Sequence, residues 1–292
     1  MNVLVLGADG MLGHQLVRGL VAANHEVVAV TRRVPMPLTR EALEGARIVT
    51  GVDVRILDTI VGAVGGARPA AVLNCIGIVK QRTEAKDALE SIRVNSVFPH
   101  ALASLCATVG ARLVHLSTDC VFSGRAGNYT EDDLPDPIDL YGRSKLLGEI
   151  SAPGCLTLRT SIIGLELMRR ESLLEWFLRQ NESATGWTRA RYSGVTTIEL
   201  SRLVVRLLQE RPDLEGIWQV SSDPITKYDL LVMLRDAIRR DVAIVPDART
   251  SIDRTLDSRR FREAVGYQPP SWKQMISELA DAVRRREAVK RV

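Results

Sequence analysis

Met1-Asn-Val-Leu-Val-Leu-Gly7-Ala-Asp-Gly10-Met-Leu-Gly13 decides the fold of this chain. An apolar run of strand character leads straight into three glycines at three-residue intervals, and a helical pattern over residues 11–23 follows. In a strand–turn–helix unit of this kind the first Gly allows the tight turn. The second lets a pyrophosphate approach the backbone, and the third lets the helix pack on the strand. The helix N-terminus then faces the anion. The spacing is G-x-x-G-x-x-G rather than G-x-G-x-x-G, and a glycine turn without a ligand is the competing reading. Gly7, Gly10, Met11, Leu12 and Gly13 are therefore the first cofactor-binding candidates.

Outward from this turn the same rhythm repeats. Residues 3–6, 26–30, 46–50, 71–74, 113–116 and 155–158 read as strands, and residues 53–64, 87–109 and 141–150 as helices. The strands are rich in Val, Leu and Ile without alternation, as in a parallel sheet covered on both faces. Repeated βα units predict an α/β fold: a Rossmann-type, doubly wound parallel sheet with a small C-terminal substrate lobe. The expected division is an NAD(P)-binding domain over residues 1–160 and a substrate lobe over 161–292 that returns to the sheet at intervals. Within the latter, residues 172–180, 197–209 and 226–240 read as helices, 217–220 as a strand, and the polar stretch 181–194 as a loop. Thr226 and Asp229 resemble a capping box, and Pro269-Pro270 with Trp272 falls in a late loop.

The segments after the next strands extend the cofactor site. The second strand ends Thr31-Arg32-Arg33, with no Asp or Glu for ribose hydroxyls. Two guanidinium groups suit a 2′-phosphate instead, or are simply surface residues. Asp53-Val54 follows the third strand; Asp53 accepts from an adenine amino group, caps the following helix, or does both. Cys75, Ile76 and Gly77 end the fourth, where backbone packs against cofactor.

The chemistry is read from Ser117-Thr118-Asp119 and Tyr141-Gly-Arg-Ser-Lys145. Tyr141 and Lys145 share one helix face. An ammonium near the phenol lowers the tyrosine pKa towards working pH and can also hold the nicotinamide ribose. Thr118 at a strand end can orient a carbonyl oxygen. A Tyr and a Lys at this spacing are often plain helix surface, but here the helix follows Thr118 and a Pro-rich acidic loop, Glu131–Pro137, in the expected order. Asp119 lines a sugar pocket or satisfies backbone groups, and His115 reads as core.

Composition excludes several classes. Of 292 residues, 46% are hydrophobic and 25% charged, and no apolar run reaches the roughly 18 residues of a membrane helix. No basic leader precedes Val3, so no signal peptide is expected. Cys75, Cys106, Cys120 and Cys155 show no paired spacing and read as reduced thiols, which implies the cytoplasm. The net charge of +4 owes much to Arg284–Arg291, read as a solvated helix end. No reader motif accompanies it, which argues against nucleic acid as a partner. The four His have no metal-ligand spacing, so no metal site is expected.

These residues resemble the extended short-chain dehydrogenase/reductases, and among them the sugar-nucleotide reductases of the dTDP-4-dehydrorhamnose reductase kind. The resemblance spans nearly the whole chain. It rests on Gly7–Gly13, Ser117-Thr-Asp-Cys-Val-Phe-Ser-Gly124, Asn128–Asp133, Tyr141-Gly-Arg-Ser-Lys-Leu-Leu-Gly-Glu149, Leu158-Arg-Thr-Ser161 and Ser222–Asp229. It implies catalysis by Thr118, Tyr141 and Lys145, hydride from NADPH with NADH as the alternative, and a nucleotide-linked 4-keto-6-deoxyhexose as substrate. The use would be surface polysaccharide synthesis, with homodimeric assembly left open. It implies sugar contacts at Val79, Asp119, Cys120 and Ile162. Related dehydratases carry an acid at position 120, which Cys120 does not replace, so reduction is favoured over elimination. The similar rhamnose-pathway enzymes have Tyr at that position and Trp at 162. Cys120 and Ile162 therefore open the choice of sugar, for instance to one with an acetamido group. A 4-epimerase and a non-catalytic NADP-binding subunit, such as the similar regulator of methionine adenosyltransferase, are the rival readings.

Overall fold

The computed structural model describes residues 1–80, 86–168 and 170–289. Its main sheet has β1 (Asn2–Leu6), β2 (Glu26–Val30), β3 (Arg47–Val49), β4 (Ala71–Asn74), β5 (Arg112–Leu116), β6 (Cys155–Arg159) and a seventh strand, Gly216–Gln219. All neighbours are parallel, and the spatial order is Gly216–Gln219, β6, β5, β4, β1, β2, β3. The chain changes direction across the sheet between β1 and β4, and a crevice at such a switch point is where doubly wound sheets bind ligands. The glycine turn follows β1 and Cys75 follows β4, so both flank it.

Both faces of this sheet are covered, which is why its strands are apolar without alternation. Leu4, Leu6, Val28, Val72 and Leu113 pack with Phe98 and Leu102 on one side. Val3, Val5, Ala29, Leu73 and Val114 pack with Leu16, Leu20, Leu203 and Leu207 on the other. At roughly 25 cal/mol per Å² this burial is the main force holding the layers together.

Several boundaries differ from the sequence reading. The first helix is Gly13–Ala22, because residues 7–12 form the turn itself. The helix after β3 is Leu57–Ala67, because residues 53–56 close a turn in which Ile56 N donates to Asp53 O at 2.9 Å. The long helix near residue 100 is three segments, Ala88–Ile92, a π-helical Arg93–Val97 and Phe98–Val109. Trp272 opens the last helix, Trp272–Val289, rather than lying in a loop.

The largest correction is at residues 181–194. This is not a loop: Ser183–Tyr192 is the central strand of a second, three-stranded sheet, between Ile225–Thr226 and Ala243–Asp253. Its inward positions are Ala184, Gly186, Ala190 and Tyr192, alternating with outward residues that are polar except Trp187. The period of two is present, but small inward residues keep its hydrophobicity low. The space is small because the helix Lys227–Ile238 lies close: a Cβ on Gly186 would stand 2.9 Å from Tyr228 Cα.

The basic tail is only partly solvated. Arg286 bonds Glu175, with side-chain exposures of 13% and 2%, and ties the last helix to the helix Leu173–Leu178. Lys290 and Arg291 lie outside the described residues. No helix among the described residues is long and apolar enough to cross a membrane.

Candidate active site

The glycine turn fits a dinucleotide for steric reasons. Gly7 has φ +74°, which a side chain would strain. A Cβ on Gly13 would stand 2.1 Å from Gly7 O, so only Gly lets the helix start this close to β1. Gly10 N closes the turn on Gly7 O at 2.9 Å, and His14 Nδ1 bonds Gly10 O at 2.8 Å. Burial lowers the pKa of His14 to about 4, so the ring is neutral and donates.

From this turn a groove runs along the ends of β1, β2, β3 and β4, lined by Gly7, Gly10, Arg32, Asp53, Val54 and the Cys75–Gly77 backbone. Met11 and Leu12 do not line it, and Leu12 is buried in the core. Arg32 reaches the groove; Arg33 is exposed and does not line it. Asp53 does not cap the following helix, whose N-cap is Ile56. Its carboxylate accepts from Arg55 N at 3.0 Å and Arg55 Nε at 2.9 Å, which holds its pKa down at about 2. Thr31 also lines the groove, as do Glu90 and Val94, which carry no motif that flagged them.

The reacting side of the cleft lies at the ends of β4 and β5. Thr118 Oγ1 donates to Asp119 Oδ1 at 3.1 Å and accepts from Cys120 N at 3.1 Å, fixing the turn that follows β5. Tyr141 and Lys145 sit on the helix Leu140–Leu147, capped by Asp139, which accepts from Gly142 N at 2.8 Å. Gly142 and Gly148 explain the spacing of this motif. A Cβ at 142 would stand 2.2 Å from Cys120 O, and one at 148 would stand 1.8 Å from Asn95 O. The helix therefore presses directly on the Thr118–Cys120 turn and on the π-helical segment.

Electrostatics correct the expected role of Lys145. Its ammonium is buried and donates to Leu116 O at 2.6 Å, and desolvation lowers its pKa to about 8. Tyr141 is not activated as a phenolate. Burial and the nearby Cys120 raise its pKa above the usual value, while the Thr118 hydroxyl pulls the other way. Tyr141 is thus a protonated phenol near neutral pH, the form that can give a proton away.

On the sugar side, Asp119 is buried and its pKa is raised by desolvation, with Arg254 and Lys227 opposing. Arg254 Nη1 approaches Cys120 Sγ at 3.5 Å while Nε bonds Phe122 O at 3.0 Å. The guanidinium thus packs against the small Cys120 side chain. Lys227 lies over the Trp187 ring at 5.0 Å, and Lys80 pairs with Asp139 at 2.6 Å. Ile162 is half-buried against the core and pairs with Val195, and Val79 is exposed on the loop after β4.

The sequence reading missed Asn95. Buried in the π-helical segment, it accepts from Ile78 N at 2.9 Å and donates to Ile78 O at 3.0 Å and Ser144 Oγ at 3.1 Å. It locks the loop after β4 to the Tyr141 helix. A single Asn in an amphipathic helix gives no signal, although π-turns cluster at functional sites. Glu149 anchors the other end, accepting from Arg159 Nη2 at 2.7 Å and Ser117 Oγ at 2.6 Å. Among the described residues no cluster of His, Cys, Asp and Glu could hold a metal.

Several known proteins have similar sequences. The chain is 26% identical over 297 residues to the spore coat polysaccharide biosynthesis protein SpsK of Bacillus subtilis, covering 95% of this chain and 96% of that protein. It is 28% identical to methionine adenosyltransferase 2 subunit beta of Danio rerio, over 81% and 73% of the two chains. It is 30% identical to a dTDP-4-keto-6-deoxy-D-glucose reductase of Streptomyces niveus, over 79% and 76%. The model of one family matches from the glycine turn into the last helix. By that match over residues 1–285, the chain belongs to the RmlD substrate binding domain family.

Proposed function

We propose that the protein uses NADPH to reduce the 4-keto group of a nucleotide-activated 4-keto-6-deoxyhexose. The observation that carries this reading is the convergence of Thr118, Tyr141 and Lys145 beside a groove whose glycines leave room for a dinucleotide. Arg32 in the groove supports NADPH over NADH through its charge on a 2′-phosphate. Arg254 and Lys227, drawn toward the reacting side, suit a diphosphate-linked substrate.

When bound, NADPH supplies the hydride for C4. Tyr141, held protonated by burial, gives its proton to the carbonyl oxygen, so that one hydride and one proton make the alcohol. Thr118 Oγ1 orients that oxygen. Lys145, fixed on Leu116 O, stabilises the negative charge that Tyr141 acquires. Asn95 and Glu149 hold the helix that carries both groups.

The free thiols Cys75, Cys106, Cys120 and Cys155 support a cytoplasmic setting, and the product would serve surface polysaccharide synthesis. NADPH oxidation against a panel of nucleotide-linked 4-keto sugars tests the reading. A 4-epimerase would interconvert sugars without net consumption of NADPH. The similarity to the methionine adenosyltransferase subunit raises a second reading, a non-catalytic nucleotide-binding subunit. That reading requires no turnover on any sugar, and it leaves the assembled triad without a use. Within the panel, lower kcat/KM on dTDP-4-dehydrorhamnose than on a UDP-2-acetamido-4-keto-6-deoxyhexose is expected from Cys120 and Ile162. The reverse order would show that the two substitutions are neutral for the choice of sugar.

A further inference from the structure

We propose that Arg55 works with Arg32 to set the choice of cofactor: it cancels the carboxylates of Asp53 and Glu90 at the groove and so admits the dianionic 2′-phosphate of NADPH. This rests on the NADPH reading above. Among the described residues that line the groove, the charged ones are Asp9, Asp53 and Glu90 against Arg32 and Arg55. Three carboxylates thus face two guanidinium groups, an unfavourable balance for a ligand whose phosphates are all anionic. Asp9 lies in the glycine turn, where the helix N-terminus favours an anion in its own right. Beside Asp53 and Glu90 that compensation must come from side chains.

Arg55 is built to supply it. Its backbone N donates to Asp53 Oδ1 at 3.0 Å, its Nε donates to the same oxygen at 2.9 Å, and its Nη2 donates to Oδ2. The remaining nitrogen, Nη1, stands 3.9 Å from Glu90 Oε2. One guanidinium therefore bridges a carboxylate from the turn after β3 and a carboxylate from the helix Ala88–Ile92. Glu90 also has Arg93 at 3.4 Å, but Arg93 does not line the groove. The hydrogen bonds from Arg55 are the main reason that the Asp53 carboxyl sits at about 2, and the charge of Arg32 adds to them, so both arginines act on this one acid. Stability does not account for the bridge. The side chains of Arg55, Asp53 and Glu90 are 44%, 18% and 25% exposed, and ion pairs this open contribute little to folding. Without Arg55, Arg32 would meet the 2′-phosphate beside two uncompensated carboxylates. NADH is indifferent to them, because its ribose hydroxyls can donate to a carboxylate.

Arg55→Gln tests the assignment, because it keeps a long polar side chain and removes the charge. Titration calorimetry with NADPH and with NADH reads the result without turnover. The Kd for NADPH should rise roughly tenfold, the scale of like charges left unscreened at a groove surface, while the Kd for NADH changes by less than about twofold. Adding Asp53→Asn, which keeps an acceptor oxygen for the adenine amino group, should bring NADPH back to within about threefold of the parent, since it removes the repulsion at its source. An equal loss for both cofactors, or no loss for either, would overturn the proposal. So would a double variant that binds NADPH as weakly as the single one, because Arg55 would then be a direct ligand of the phosphate. A parent protein that binds NADH more tightly than NADPH would remove the NADPH reading itself, and the proposal with it, before any variant is made.

Discussion

The groove is bordered largely by main chain, turned by Gly7, Gly10 and Gly77 in the segments that follow the neighbouring strands β1 and β4. Around Thr118–Cys120 the surroundings are instead side chains, Arg254 against Cys120 and Lys227 over Trp187, carried by well-separated segments and two sheets. A site made of backbone depends on a few positions that must stay small. A site made of side chains can be altered one substitution at a time. The reacting group stands between the two, on a helix clamped to both β5 and the π-helical segment.

The largest expected effect falls on that middle element. Tyr141→Phe should lower turnover by roughly 100-fold or more, the scale of a lost general acid, while cofactor titration by fluorescence stays normal. Near-normal turnover would remove Tyr141 from the mechanism. Gly13→Ala should break the cofactor side selectively. The new Cβ meets Gly7 O at 2.1 Å, so the turn must shift, at a cost of about 1–3 kcal/mol. NADPH affinity should drop at least about tenfold on that scale, and retention of full affinity would show that the turn is less constrained than its packing implies.

Lys145 gives a pH test. Its folded pKa is about 8 against 10.5 for the free side chain, so between these values the unfolded chain holds a proton that the folded chain has lost. Stability of the ligand-free protein should therefore rise with pH across that window, by up to about 3 kcal/mol. Lys145→Met should be more stable than the parent at pH 7 although inactive, with the advantage vanishing near pH 10.5. Urea denaturation at both pH values decides it; equal stability at pH 7 means that the ammonium is better solvated than its burial indicates. The smallest effects separate the two arginines. Arg32→Ala should weaken NADPH by about tenfold, the scale of a charge-assisted bond, and leave NADH unchanged. Arg33→Ala should change either by less than about twofold, as expected for an exposed residue. An equal loss from both would return Arg33 to the site.

The same contrast explains what could be read from sequence. The order of βα units, Gly7–Gly13, Thr118, Tyr141 and Lys145 were legible because each is a local pattern with a steric or chemical reason for its spacing. Ser183–Tyr192 was not, because Gly186 and the two Ala residues conceal an inward face behind small side chains. Asn95 and the Arg254 approach to Cys120 were invisible because they join residues far apart in the chain. The raised pKa of Tyr141 also lay beyond reach, since it depends on burial and on the Cys120, Asp119 and Asp139 side chains that the fold brings near it.

The seventh strand of the main sheet carries a consequence for biosynthesis. Gly216–Gln219 pairs with β6, yet it follows the strand Ser183–Tyr192 of the other sheet in the chain. On the ribosome the first six strands emerge well before it. Until residue 219 has left the exit tunnel, β6 is the rim of a nascent parallel sheet, with a row of unpaired amides and carbonyls open to any other extended chain. Chaperones that shield strand rims would therefore act on this chain between the synthesis of β6 and that of residue 219.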